Sequence, residues 1–227
     1  MQLDKIEFET GPNPQAAVIW LHGLGADGND FAPIVPELDL EHDLIGHIRF
    51  IFPHAPMIPV TINGGHVMRA WYDILGTDLA RREDEAGLRK SEGLIRGLID
   101  AQVASGIAAN RIVLAGFSQG CAVTLMTGLR YPHRLAALMA LSGYLPMAAS
   151  LAQERHSANA DVPIFMAHGR QDPMITLPRA AASRDALLQL GYTVNWKDYP
   201  MPHSVCAEEI ADIRSFLQDV LLLKKSD

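Results

Sequence analysis

The chain has 227 residues, of which 48% are hydrophobic and 20% charged, a composition typical of a folded globular protein and not of a disordered chain. Its 19 Lys and Arg residues stand against 26 Asp and Glu residues, so the formal net charge is −7; with no basic run, no nucleic-acid partner is expected. The length suits one α/β domain, and we expect residues 1–227 to form a single domain.

Neither the apolar runs nor the cysteines indicate a membrane or secreted protein. No apolar stretch approaches the roughly 18 to 20 residues of a membrane span, and Met1 to Lys5 lacks the start of a signal peptide. Two cysteines, Cys121 and Cys206, are too few for a disulfide framework, and both are expected to pack in the interior. We therefore expect a cytoplasmic chain with reduced thiols and no stable membrane insertion.

Short apolar runs alternate with longer amphipathic ones along the chain. Leu3 to Phe8 predicts an edge strand, and six further strands are predicted over Ala16 to Leu21, Ile48 to Phe52, Arg111 to Ala115, Leu135 to Leu141, Val162 to Ala167 and Thr193 to Asp198. These runs are continuous, as in strands buried on both faces of a parallel sheet. Helical spacing predicts helices over Glu83 to Ser105, Gln119 to Arg130, Leu177 to Leu190 and Ser204 to Leu223. The alternation predicts a three-layer α/β/α sandwich with a mostly parallel sheet and no large lid domain.

Gly116, Ser118 and Gly120 fit the pattern Gly-x-Ser-x-Gly at the junction of a predicted strand and a predicted helix. In this pattern the strand turns sharply into the helix, the serine is held in a strained backbone conformation, and the small flanking residues let the two elements approach. The alternative is a glycine-rich turn with an incidental serine. The apolar run before it and the small-residue helix after it favour Ser118 as a nucleophile.

Ser118 would need a base, because an alcohol is a poor nucleophile at neutral pH until a histidine takes its proton. In sites of this kind the chain order is serine, acid, histidine. His203 lies in the proline-containing stretch Tyr199 to Ser204, which predicts a loop between the last strand and the last helix. His168 is interpreted as a structural residue at a strand end, and His133 as a surface cap.

The acid that orients this histidine should lie in the loop after the preceding strand. Asp172, which follows the strand Val162 to Ala167, fits this position. A local Asp-Pro turn is the alternative role, and one residue can have both. Asp161 at the opposite end of the sheet, Asp185 on a helix and Asp198 at the end of the last strand fit less well.

Gly23, Gly25 and Gly28 follow a predicted strand and allow two interpretations. They match the dinucleotide fingerprint Gly-x-Gly-x-x-Gly, which would indicate a nicotinamide- or flavin-dependent oxidoreductase. However, Pro33 and Pro36 are expected to interrupt the helix that this fingerprint requires, and the acidic residue at the end of a second strand is missing.

In the second interpretation this turn belongs to an oxyanion hole. A hydrolase needs two backbone N–H groups directed at the carbonyl oxygen as it becomes negative. The candidate donors are Leu24 in the glycine-rich turn and Gln119 directly after Ser118. His22 is expected to hold the loop rather than to take part in the chemistry.

With these residues assembled, nearly the whole chain resembles the carboxylesterase / acyl-protein thioesterase family of α/β-hydrolases, also described as the phospholipase/carboxylesterase family. The matching segments are Leu21 to Gly28, Pro53 to Pro56, Ala70 to Asp73, Gly116 to Gly120, His168 to Pro173 and Met201 to His203. The resemblance implies the α/β-hydrolase fold, Ser118, Asp172 and His203 as catalytic residues, Leu24 and Gln119 as oxyanion donors, no cofactor and a homodimer. The histidines show no spacing typical of metal ligands, so no metal is expected. Tyr72, Pro202 and Met174-Ile175 depart from the family pattern and leave the acyl-chain preference open.

The resemblance also places the stretch Met57 to Trp71 beside the active site as a loop. Its apolar residues suit an acyl chain, with Ile62, Met68 and Trp71 as candidate substrate contacts, although a loop that only packs on the sheet would look similar. As this loop is the largest candidate cover, we expect an open, shallow site.

The expected function is hydrolysis of carboxylic esters with small or medium acyl chains through a Ser-His-Asp acyl-enzyme mechanism. An acyl-protein thioesterase or a lysophospholipase using the same triad is the alternative, and a dinucleotide-dependent oxidoreductase is a further one. In either hydrolase case the partner is a small-molecule ester or thioester substrate.

Overall fold

In a computed structural model that describes residues 3–40, 46–76 and 83–221, one mostly parallel sheet of seven strands organises the chain. The elements are β1 (Lys5–Glu9), β2 (Ala16–Leu21), α1 (Ile34–Glu37), β3 (Ile48–Pro53), β4 (Met57–Val60), β5 (His66–Arg69), α2 (Glu85–Ala104), β6 (Ile112–Phe117), α3 (Gln119–Gly128), β7 (Ala137–Leu141), α4 (Ala148–Glu154), β8 (Ile164–Gly169), α5 (Leu177–Gln189), β9 (Val194–Tyr199) and α6 (Ala207–Val220). The strand order is β1-β3-β2-β6-β7-β8-β9, and only β1 runs antiparallel to its neighbour.

The sheet is covered on both faces, because alternate residues of its central strands feed two separate cores. Ile19 of β2 belongs to the core formed with α2, α3, α4 and α5, whereas its neighbour Trp20 belongs to the core formed with α1 and α6. All six residues of β2 and of β6 are buried. The predicted three-layer α/β/α sandwich is therefore confirmed, and the continuous apolar runs reflect burial on both faces.

The strands agree with the predicted runs, but several of them extend one or two residues further at their carboxyl ends. The predicted edge strand Leu3 to Phe8 is β1, which pairs antiparallel with β3. The strands predicted to end at Ala115 and Ala167 continue to Phe117 and Gly169, because Gly116 and Phe117 still pair with β7, and Gly169 with β9. Glycine is depleted from strands, so its presence suggested an earlier end than the pairing gives.

Residues 57–69 form a hairpin, so the expectation of an irregular loop over Met57 to Trp71 was wrong. Strands β4 and β5 pair antiparallel, with Val60 opposite His66. Gly64 and Gly65 close the turn with φ of +67° and +78°, which glycine adopts without steric cost. Pro59 is tolerated because each strand of a two-stranded pair has an unpaired outer edge.

Two short helices also differ from the expectation. Pro33 and Pro36 were expected to interrupt any helix over Asp30 to Leu38, yet one turn, α1, forms there; proline is tolerated in a first turn, where N–H groups lack an intrahelical partner. Helix α4 was not predicted. The predicted end of the last helix at Leu223 lies outside the described residues.

Glu209 provides a test of this packing that is independent of the site. This residue lies fully buried in the first turn of α6, and burial raises the pKa of its carboxyl to about 8, with the Cys206 backbone N–H offsetting only part of that effect. Because the folded protein holds this proton more tightly than the unfolded chain, the carboxyl contributes its full stabilisation at pH values below its ordinary pKa of 4.5. The stabilisation is lost as the pH rises through about 8.

We therefore expect the unfolding free energy of the native chain to fall between about pH 5 and about pH 8, by up to about 1.4 kcal/mol per pH unit. In Glu209→Gln, which cannot ionise at this position, that decrease should be absent. Urea denaturation at the two pH values measures it. Glu208→Gln, at the exposed neighbouring position, is the matched control and should keep the native slope. Equal slopes for the native chain and Glu209→Gln would contradict the assignment.

Candidate active site

Ser118 forms the sharp turn between β6 and α3 at the carboxyl edge of the sheet. Its backbone has φ 56° and ψ −115°, a conformation that non-glycine residues rarely adopt. A Cβ on Gly116 would lie 2.3 Å from the backbone of Gly120, and a Cβ on Gly120 would lie 2.3 Å from the carbonyl oxygen of Leu21. Both positions therefore require glycine, and the Ser118 N–H donates to the Leu141 carbonyl at 2.9 Å, which holds the turn.

Three side chains from separate loops meet at this turn. The Ser118 Oγ lies 2.9 Å from His203 Nε2, and His203 Nδ1 lies 2.6 Å from Asp172 Oδ2. The other carboxylate oxygen, Oδ1, accepts the backbone N–H groups of Met174 at 2.8 Å and Ile175 at 2.9 Å. An ionised carboxylate only accepts hydrogen bonds, so His203 carries its proton on Nδ1 and presents the Nε2 lone pair to the serine hydroxyl. This arrangement can remove the hydroxyl proton.

Backbone contacts fix the two loops that carry the acid and the histidine. The Gln171 N–H donates to the Met201 carbonyl at 3.1 Å. A Cβ on Gly169, the last residue of β8, would lie 2.3 Å from the Pro202 carbonyl oxygen. The Phe117 ring packs against the His203 ring at a centroid distance of 4.7 Å. The imidazole is therefore held from its own loop, from the neighbouring loop and from the end of β6.

The alternative acids and histidines have other partners. Asp161 pairs with Arg134, Asp185 with Arg184 and Asp198 with Arg170. His133 contributes its carbonyl to an Asn159 hydrogen bond. His168 is buried in β8 with Nε2 donating to the Ile175 carbonyl at 2.7 Å, and burial lowers its pKa, as suits the structural role expected for it.

The proposed oxyanion donors lie on either side of Ser118. Gln119 is the first residue of α3, so its N–H is one of the four at a helix start that have no intrahelical partner. Leu24 lies on the cavity wall beside Gly23, and a Cβ on Gly23 would be 3.4 Å from the Ser118 Cβ. Two backbone segments able to supply N–H groups thus border the serine.

His22 holds the segment that contains Leu24. Its Nδ1 donates to the Gly23 carbonyl at 2.7 Å, and its Nε2 accepts the Ala55 N–H at 3.0 Å. Burial lowers the pKa of His22 to about 4, so the ring is neutral near pH 7 and can act as donor and acceptor at once. The expected loop-holding role agrees with these contacts.

In the glycine-rich turn, Gly28 allows close packing against β3, a role that differs from dinucleotide binding. Gly28 lies against β3, where a Cβ would be 2.4 Å from the Phe52 carbonyl oxygen, and its N–H donates to His54 Nδ1 at 3.1 Å. The next helix, α1, has four residues and begins only at Ile34. In a dinucleotide site, by contrast, the helix N-terminus follows the glycines directly and faces the pyrophosphate.

A cavity of about 640 Å³ opens at Ser118. Most of its wall is apolar or aromatic, and the lining residues include Ile62, Tyr72, Ile74, Phe117, Tyr144, Met174 and Ile175. The volume lies within the range of roughly 300 to 1,000 Å³ that small-molecule sites occupy. Residues of the hairpin and of the segment after Asp172 form part of its wall, and the cavity is partly open to solvent.

The residues proposed to contact substrate have different positions. Ile62 lines the cavity. Met68 is half-buried in β5, where its sulfur accepts a hydrogen bond from the Asn63 side chain, and Trp71 is only 2% exposed, with its indole N–H donating to the His22 carbonyl. The sequence did not indicate Tyr144 or Ile74 as cavity residues, and Met174 and Ile175, which follow Asp172 and Pro173, were noted only as departures from the family pattern.

Neither cysteine is among the residues that line the cavity. Cys121 is fully buried next to the turn, where burial raises its thiol pKa, and Cys206 is half-buried against the second core. In residues 3–40, 46–76 and 83–221, no group of three or more His, Cys, Asp or Glu side chains could hold a metal ion. Over the same ranges, no helix has the length and apolar character needed to cross a membrane.

Comparison with known proteins agrees with this geometry. A family model described as Phospholipase/Carboxylesterase matches residues 5–221. Acyl-protein thioesterase 1 from Neurospora crassa is 42% identical in an alignment 214 positions long, which covers 91% of this chain and 87% of that protein. Arabidopsis thaliana SOBER1 has a TM-score of 0.84 at 30% identity, covering 91% of this chain and 99% of its own. Zea mays acyl-protein thioesterase 2 has a TM-score of 0.83 at 26% identity, covering 96% and 99%.

The family match spans both ends of the main sheet and every loop that borders the cavity. Thioesterases of this family are related to the chain over nine-tenths of its length, and the solved relatives share its fold. The chain therefore belongs to the phospholipase/carboxylesterase family of α/β-hydrolases and is a hydrolase that acts on esters.

Proposed function

We propose that Ser118, His203 and Asp172 are the catalytic triad of a serine hydrolase and that the Leu24 and Gln119 N–H groups form its oxyanion hole. The observation that carries this proposal is the continuous relay from Ser118 Oγ through His203 to Asp172, with distances of 2.9 Å and 2.6 Å. These are hydrogen-bond distances that allow proton transfer at the serine and orientation of the imidazole by the acid.

In the proposed mechanism, Ser118 Oγ attacks the acyl carbonyl carbon while His203 Nε2 takes the hydroxyl proton. The carbonyl oxygen becomes negative and is stabilised by the Leu24 and Gln119 N–H groups. The intermediate then expels an alcohol or thiol, which receives the proton from His203 and leaves an acyl-enzyme. Water, deprotonated by His203, attacks the acyl carbonyl and releases the acid and free Ser118. Asp172 keeps the imidazole oriented and stabilises its positive charge.

Thioesters are the substrate class that the relatives favour, because the matched curated proteins carry the name acyl-protein thioesterase. The largely apolar cavity suits an acyl chain. We infer that the chain hydrolyses acyl thioesters. Carboxylic esters with small or medium acyl chains and lysophospholipids are the alternative substrates for the same site.

A fluorophosphonate probe tests the proposed nucleophile. The probe reacts with an activated serine, so we expect one labelled peptide, containing Ser118, and loss of esterase activity in proportion to labelling. Mass spectrometry of the digested protein identifies the site. Labelling at another serine, or full activity after complete labelling of Ser118, would contradict the proposal.

The cavity predicts a dependence on acyl length. Each buried methylene contributes up to about 0.8 kcal/mol, so kcat/KM for p-nitrophenyl octanoate should exceed that for the acetate at least about tenfold. Ile62→Asp should reduce this preference because Ile62 lines the cavity. Val67→Asp, at another exposed apolar position of the same hairpin that does not line the cavity, is the matched control. A flat series, or equal effects of the two variants, would contradict the role given to Ile62.

The same series, run beside a palmitoyl thioester, distinguishes the substrate candidates. A higher kcat/KM for the thioester than for a p-nitrophenyl ester of equal length would support thioesterase activity. A homodimer and a cytoplasmic location stay predictions; sedimentation of the purified chain measures the first, and fractionation of cells that express it measures the second.

A further inference from the structure

Trp71 and Tyr72, here called the 71–72 strap, lie between the two backbone segments proposed to supply the oxyanion donors. The Trp71 indole N–H donates to the His22 carbonyl at 2.9 Å, just before the Leu24 turn. The Trp71 backbone N–H donates to the Gln119 Oε1 at 2.7 Å, at the start of α3. The strap therefore bonds to both segments at once.

The side chain of Gln119 completes this connection from the other side. Its Nε2 donates to the Tyr72 carbonyl at 2.7 Å, so the amide makes one bond to each residue of the strap. Gln119 is 4% exposed and Trp71 is 2% exposed. Hydrogen bonds between buried groups are not exchanged readily for water, so these bonds keep the strap and the start of α3 in a fixed relative position.

The strap is itself held on the protein. The Ser91 hydroxyl of α2 donates to the Trp71 carbonyl, and the Gly25 N–H donates to the carbonyl of Arg69, two residues before the strap, at 2.8 Å. Every main-chain or side-chain polar group that Trp71 offers is thus bonded to α2, to α3 or to the Leu24 segment. Such a connection has little freedom to relax when one bond is removed.

We propose that the Gln119 side-chain amide is a positioning group for the reaction, distinct from the backbone N–H of the same residue, and that it acts through the 71–72 strap to set the separation of the two oxyanion donors. The inference rests on the proposed function. An oxyanion is stabilised when its donors lie about 2.7 to 3.1 Å away, and a displacement near 1 Å costs up to about 10²-fold in rate. Trp71, considered above as a substrate contact, becomes a positioning residue in this account.

Gln119→Met tests the inference, because methionine has a similar length and fills the same space without the two hydrogen bonds, while the backbone N–H stays. We expect kcat to fall about 10- to 100-fold with KM within about threefold. The inhibition constant of a trifluoromethyl ketone, which forms a tetrahedral oxyanion on the serine, should rise by the factor by which kcat/KM falls.

The matched control is Gln102→Met. Gln102 is also a buried glutamine, 3% exposed, and its Oε1 accepts a hydrogen bond from Arg49 at 2.9 Å, but Arg49 is near the start of β3, at the opposite edge of the sheet. Both variants should lower the melting temperature through the lost buried hydrogen bond. Only Gln119→Met should lower kcat.

Trp71→Phe is the second variant, and it serves if Gln119→Met does not fold. It removes the indole N–H donated to His22 and keeps an aromatic ring, so kcat should fall about 3- to 10-fold at similar KM. Native kcat in both variants, or a raised KM at native kcat, overturns the inference. Ser118→Ala in the same assay separates the two proposals. If Ser118→Ala is inactive while Gln119→Met has native rates, the proposed function stands and only this inference is overturned. If Ser118→Ala has native activity, the proposed function itself is overturned.

Discussion

Replacement of Ser118 by alanine is expected to lower kcat for p-nitrophenyl ester hydrolysis by about 10⁴-fold or more, which corresponds to about 5.4 kcal/mol of transition-state stabilisation. The variant loses the oxygen that forms the acyl-enzyme, and the remaining donors can only assist direct attack by water. Steady-state kinetics and the absence of a pre-steady-state burst measure the effect.

Ser118→Ala should remove the hydroxyl without changing the strain of the turn. Serine and alanine both carry a Cβ, so the positive φ of 56° is equally costly in the two proteins, and the melting temperature should change little. Ser150→Ala, on helix α4, which contributes no residue to the cavity wall, is the control and should keep native kinetics. A Ser118→Ala protein that folds and keeps more than about a tenth of native kcat would be incompatible with a Ser118 nucleophile.

The main sheet could be predicted because its central strands are buried on both faces. Residues such as Ala16 to Leu21 then have no solvent-facing positions, and the sequence shows an unbroken apolar run. The hairpin over β4 and β5 could not be recognised in the same way. Its residues are half-exposed and include Pro59 and two adjacent glycines, which are also the marks of an irregular loop.

The site residues were predictable to the extent that chain order reflects topology. In a parallel sheet, the loops after successive strands meet at the carboxyl edge, so Ser118, Asp172 and His203 were expected to lie close together. The contacts that bring the Asp172 loop to His203 were not predictable, because the bond between the Gln171 and Met201 backbones and the close approach of Gly169 to Pro202 leave no mark in the sequence.

The hydrogen bonds between the Gln119 side chain and the 71–72 strap could not be predicted from the sequence. A glutamine after the Gly-x-Ser motif was considered only for its backbone N–H, since nothing in the pattern indicates where the side chain points. Its bonds to Trp71 and Tyr72 join residues separated by more than forty positions. Contacts of that kind depend on the loop packing that the fold produces and not on local spacing.

Replacement of Asp172 by asparagine has the second large expected effect, a loss of about 10⁴-fold in kcat. Both carboxylate oxygens of Asp172 accept hydrogen bonds: Oδ1 accepts two backbone N–H groups, and Oδ2 accepts His203 Nδ1 at 2.6 Å. An asparagine has one acceptor oxygen and one NH₂ group, so it cannot satisfy both sides. Asp198→Asn, at the rival position paired with Arg170, is the matched control and should keep native kcat within about twofold.

The orientation of the new side-chain amide in Asp172→Asn decides how much activity is lost, and the orientation that keeps both backbone donors paired gives the large loss. If the amide oxygen faces the Met174 and Ile175 N–H groups, its NH₂ faces His203, which must then accept at Nδ1 and carry its proton on Nε2. The imidazole in that tautomer cannot take the Ser118 proton. If the amide turns over, its oxygen accepts His203 Nδ1–H and keeps the productive tautomer, so the loss in kcat is smaller. The NH₂ then opposes two backbone donors, which strains the loop that places the side chain and lowers the melting temperature. Steady-state kinetics with thermal denaturation therefore distinguish the orientations, and native kcat in Asp172→Asn would show that another group orients His203.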